Sequence, residues 1–128
     1  AHNPHGAKAL AETLKAEFNF DEIIAVVGIL GDKDAAGIFQ ELESIVDHVI
    51  VTQSSSDRAM ASSEVEKIAS SVFGADRVFE ISDLSQALDK AIKDSIRPLS
   101  EETVGIIVTG SVVTVGQARS YLRKKFAQ

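Results

Sequence analysis

Apolar and polar positions follow two rhythms along this chain. Residues 23–27, 48–52 and 104–109 are short, mainly apolar runs of strand length, and 78–80 is a briefer one. Between them, apolar residues return every three or four positions, as one face of an α-helix requires. These intervals predict helices near 35–44, 59–73, 84–96 and 113–126. A further helix opens the chain: Ala7, Leu10, Ala11, Leu14 and Phe18 form an apolar stripe, with Lys8, Glu12 and Lys15 on its wet side. Asn3 suits the N-cap, because its side-chain oxygen can accept from a first-turn N–H, and Pro4 suits the next position, where no N–H is needed.

Strands that are apolar throughout are buried on both faces, and their alternation with helices predicts a parallel sheet. The expected fold is therefore α/β: a three-layer, Rossmann-like domain with a mostly parallel sheet flanked by helices. A helix starting at Pro4 is ordinarily fed by a buried strand, so the first strand is expected to be missing and the chain to be a fragment of a larger protein. Residues 1–128 read as a single domain, since Arg97-Pro98-Leu99-Ser100 ends a helix without marking a boundary.

Composition narrows the function. With 13 Lys and Arg against 19 Asp and Glu, the formal net charge is −6, which argues against a broad nucleic-acid or anionic-membrane surface. The basic cluster Arg119, Arg123, Lys124 and Lys125 falls in the last helix, where cations suit the C-terminal end of the dipole. No apolar run approaches the roughly 20 residues of a membrane span. There is no cysteine, which removes disulfides and thiolate sites and fits a reducing compartment, the cytoplasm by expectation.

In open α/β sheets, ligands bind at the carboxyl ends of the strands. Four loops lie there. Residues 28–34, Gly-Ile-Leu-Gly-Asp-Lys-Asp, allow close backbone approach, place Lys33 where it can meet a phosphate or pair with Asp32 or Asp34, and let Asp34 cap the next helix; a plain charged turn explains them equally well. Residues 52–59 are hydroxyl-rich and end in Arg58, with an anion site and a helix start capped by Asp57 as the two readings. Gly110-Ser111 sits at a strand-to-helix junction, a natural anion site, while the Gly-x-Ser-x-Gly elbow of a serine nucleophile is absent. His2 and His5 occupy the opening loop, and His48 lies too deep in a strand to join them. Nothing here makes a transition-metal site, and no Gly-Lys-Ser/Thr P-loop occurs.

Ala1-His2-Asn3-Pro4 with its Ala/Leu-rich helix, residues 28–34 with Asp-Lys-Asp, Arg58-Ala59, Thr109-Gly110-Ser111 and Val115-Gly116-Gln117-Ala118-Arg119 together resemble one family. The chain is similar, along its whole length, to the C-terminal domain of folylpolyglutamate synthases and bifunctional dihydrofolate synthases, members of the Mur-type ATP-dependent amide ligases. That resemblance implies an enzyme that phosphorylates a folate carboxylate with ATP and Mg2+, then lets the amine of L-glutamate attack the acyl phosphate. It implies that His2 and Ser111 contact glutamate and that Asn3, Lys33, Arg58 and Gly110 lie near the nucleotide. The P-loop, the magnesium ligands and most of the folate site would belong to an N-terminal domain of the same protein. The isolated chain is accordingly expected to lack ligase activity, to contribute positioning and closure, and to hold no catalytic residue or metal of its own. The competing readings are a stand-alone α/β small-molecule-binding or receiver-like module, and an interaction domain that pairs through an open sheet edge.

Overall fold

The computed structural model describes residues 2–126, apart from the side chain of Val112. Helix α1 (Pro4–Glu17) leads into β1 (Glu22–Val27), α2 (Ala35–Leu42), β2 (His48–Gln53) and α3 (Ser62–Phe73). A short 3-10 turn precedes β3 (Val78–Asp83), followed by α4 (Leu84–Ser95), β4 (Val104–Thr109) and α5 (Val112–Phe126). The four strands are all parallel, in the order β3-β2-β1-β4.

Side chains alternate across the sheet. Ile23, Ala25, Val27, Val49 and Val51 join α1, α2 and α3 in one core, whereas Ile24, Val26 and Ile50 join α4 and α5 in the other. Because both faces of β1 and β2 are covered, these strands carry no polar alternation, and this is why they read as continuous apolar runs. The three-layer expectation holds.

Local hydrogen bonds fix the helix starts. Asn3 Oδ1 accepts from Gly6 N at 2.7 Å with Pro4 next in line, and Asp34 caps α2 by accepting from Gly37 N at 2.9 Å; each cap is worth about 1 kcal/mol. Three expectations need correction. Helix α3 begins at Ser62 rather than near 59, and its N-cap is Ala61, not Asp57; Arg58 and Met60 are instead held by backbone bonds to the loop after β1. Phe18 is the extended C-cap residue of α1, half exposed and stacked on Phe20, outside the buried stripe. His48 opens β2 at the amino end of the sheet, where its Nδ1 lies 2.8 Å from Glu22.

Candidate functional site

From β1 the chain winds outward through β2 to β3, then crosses back to place β4 on the other side of β1. The switch point therefore lies between the carboxyl ends of β1 and β4, where a crevice opens in folds of this kind. Gly28 follows β1 there, and Gly110 and Ser111 follow β4. Gly28 N donates to Thr109 O at 3.3 Å, drawing the two strand ends together.

The approach is closer than side chains allow. Gly110 has φ +113°, and a Cβ built on it would lie 2.3 Å from the Gly28 carbonyl oxygen. A Cβ on Gly28 would meet Thr114 Oγ1 at 2.7 Å. Hydroxyls lock the contact: Thr114 Oγ1 donates to Gly28 O at 3.0 Å, Ser111 Oγ lies 2.7 Å from Thr114 Oγ1, and Thr114 N donates to Ser111 Oγ at 3.0 Å. Ser111 and Thr114 are both buried. Ser111 thus caps α5, whose first-turn amides and positive dipole end face the switch point.

Two further loops are tied to this centre. The loop after β1 runs antiparallel to the loop after β2 through Gly31 N to Arg58 O and Met60 N to Ile29 O, both 2.8 Å. The loop after β2 also reaches α5, where Ser55 N donates to Gln117 Oε1 at 2.8 Å and Gln117 Nε2 donates to Ser55 Oγ at 2.7 Å. Beside this pair is a polar cavity of about 350 Å³, lined by Gln53, Ser54, Ser55, Ser82, Gln117 and Tyr121 among others.

The residues singled out from the sequence are distributed as follows. Gly110 and Ser111 stand at the switch point. Asn3 caps α1, and Pro4 Cγ lies 2.6 Å from where a Cβ on Gly37 would be, so the α1 start abuts the first turn of α2 beside the loop after β1. His2, just ahead of it, is exposed. Arg58 Nη2 pairs with Asp32 Oδ2 at 2.8 Å; with side chains 66% and 55% exposed, such a pair contributes under about 1 kcal/mol. Since Asp32 takes Arg58 and Asp34 caps α2, neither forms the pairing considered for Lys33, which is half-buried. Gly28, Thr114 and Gln117 were not singled out as site residues by sequence reasoning. The available signal was Ser-x-x-Thr opening a helix directly after an apolar strand.

The other charged cluster lies at the amino end of the sheet, where Glu22 accepts from Arg97 Nη2 at 2.7 Å and contacts His48. It is at the far end of the strands from the switch point. Among the described residues, no group of three His, Cys, Asp or Glu side chains is placed to hold a metal ion, and no helix is long and apolar enough to cross a membrane.

Comparison with known proteins identifies the family and the fold. The family model for the Mur ligase, glutamate ligase domain matches residues 1–112. A dihydrofolate synthase/folylpolyglutamate synthase of Mycobacterium tuberculosis is 41% identical over 128 residues, covering 94% of this chain and 26% of that protein. The structure of M. tuberculosis folylpolyglutamate synthase complexed with ADP and AMPPCP superposes with a TM-score of 0.86 at 40% identity, over all of this chain and 28% of that one. E. coli FolC in complex with DHPP and ADP gives 0.81 at 26% identity, over 98% and 28%. The chain thus spans about a quarter of the length of these relatives. On the family match and the shared fold, the chain belongs to the Mur ligase, glutamate ligase domain family.

Proposed function

We propose that this chain is the C-terminal, amine-positioning domain of an ATP-dependent, ADP-forming ligase that adds L-glutamate to a folate as a γ-linked amide. The same chemistry would convert dihydropteroate to dihydrofolate. ATP phosphorylates the folate carboxylate, the glutamate nitrogen attacks the acyl carbon, and phosphate leaves. A preceding P-loop domain of the same protein would hold ATP, magnesium and most of the folate. No residue of this chain is assigned to magnesium, and no step is routed through it.

The observation that carries this reading is the joined pair of loops at the β1/β4 switch point. It brings the first-turn amides of α5 to the switch point, a donor set that suits a carboxylate and would position it. His2 and the loop 28–34, with Lys33, would complete the glutamate and phosphate surroundings, and Arg58 would stiffen that loop through Asp32. Cytoplasmic folate metabolism is the setting this implies, without a nucleic-acid or membrane partner. The relatives' names, and the ADP and DHPP held by E. coli FolC, support the substrate class.

The test is ADP release by the full-length parent with ATP and magnesium. Turnover that needs both tetrahydrofolate and L-glutamate is the expected result. Turnover that ignores either one, or none at all, contradicts the ligase reading.

A further inference from the structure

We propose that Thr114 is a positioning residue for the amine substrate, and that Ser111 meets that substrate through the backbone of the α5 start and not through its hydroxyl; this rests on the ligase reading above. The proton count supports the reading of Ser111. A carbonyl oxygen can only accept, so the 3.0 Å contact between Thr114 Oγ1 and Gly28 O spends the Thr114 hydroxyl proton. The 2.7 Å contact between Ser111 Oγ and Thr114 Oγ1 is then donated by Ser111, which spends the serine proton as well. Ser111 Oγ also accepts from Thr114 N at 3.0 Å. With Ser111 3% and Thr114 0% exposed, an incoming carboxylate finds no free O–H here.

What remains for it is the first turn of α5. The first intrahelical bond runs from Val115 N to Ser111 O at 3.1 Å, so the amides ahead of Thr114 have no partner within the helix and carry its positive dipole end. Their direction is set by the tether between residues 28 and 114, since Thr114 Oγ1 joins α5 to the loop after β1 across 86 positions of sequence. The glycines on either side of the tether show how little slack it has: 2.7 Å to Thr114 Oγ1 from a Cβ on Gly28, and 2.3 Å to Gly28 O from one on Gly110. Removing the Thr114 hydroxyl releases α5 from the Gly28 carbonyl while the Gly28 N to Thr109 O bond still joins the two strand ends.

Steady-state kinetics of the full-length protein decide the matter. Thr114→Val is expected to raise the KM for L-glutamate about tenfold or more, at least as much as Ser111→Ala does, with the KM for ATP within about twofold, and Thr114→Ser to restore the glutamate KM to within about threefold. A glutamate KM unchanged in Thr114→Val, a large effect confined to Ser111→Ala, or equal rises for glutamate and ATP would overturn the proposal. Should Thr114→Val not accumulate as folded protein, Gly28→Ala takes its place: it strains the same tether without deleting a donor and must give the same glutamate-selective rise. An unsubstituted parent that fails to use glutamate sinks the ligase reading and this inference together; glutamate turnover that Thr114→Val leaves untouched sinks the inference alone.

Discussion

At the scale of single residues, the site is built from small groups that let two backbones meet. Gly110 is confined to its position twice over, by a φ of +113° and by the Gly28 carbonyl 2.3 Å from any Cβ. Gly110→Ala is therefore expected to cost about 2–4 kcal/mol, combining left-handed strain with displacement of the facing loop, whereas Gly116→Ala, with nothing within 4 Å of its Cβ, should be neutral or stabilising within a helix. Denaturant unfolding of both variants checks this, and equal stabilities would contradict it. Ser111 was legible because Gly-Ser after an apolar strand marks a strand-to-helix junction. Thr114 was not: its partner is a carbonyl 86 residues away, and no local spacing encodes such a pairing.

At the scale of elements, what could be read depended on whether the determinant was local. The starts of α1 and α2 were legible because Asn3 and Asp34 accept from an N–H three residues on. The start of α3 was not, because Ala61 offers no cap and Ser62 N donates instead to Gln53 Oε1 on β2. Strand β3 outruns its expected end at residue 80 because pairing with β2, shifted between Val51 and Gln53, carries it to Asp83. The contact between α4 and α5 is likewise tertiary. Asp89 accepts from Tyr121 Oη at 2.6 Å and pairs with Lys125 at 3.2 Å, and these two donors, Tyr121 foremost, hold its carboxyl below the usual range. A carboxyl lowered on folding adds stability above its unfolded pKa and loses it as pH falls through the folded value. The pair therefore supports the α4–α5 contact at neutral pH and fades in acid. Tyr121→Phe should move the Asp89 titration midpoint upward in a carbon-13 NMR titration, and an unmoved midpoint would contradict the assignment.

At the scale of the whole molecule, the sheet divides the labour. Its amino end carries the Glu22–His48–Arg97 cluster, and its carboxyl end carries every loop that converges on the switch point. Strand β4 is an edge strand among the described residues, yet Val104, Ile106, Ile107 and Val108 are apolar and only partly buried. Beside it runs an apolar cavity of about 590 Å³ lined by Val108, Val115, Ala118, Leu122 and Phe126 with two arginines. Helix α1 packs on the face of α2 and α3. The central claim, that the site holds the amine substrate rather than the nucleotide, is tested most directly by kinetics of His2→Ala in the full-length protein, because His2 is exposed and its truncation removes no buried side chain. The account predicts that kcat/KM for L-glutamate falls by about tenfold or more while the KM for ATP stays within about twofold; an equal loss toward both substrates, or a loss confined to ATP, would contradict it.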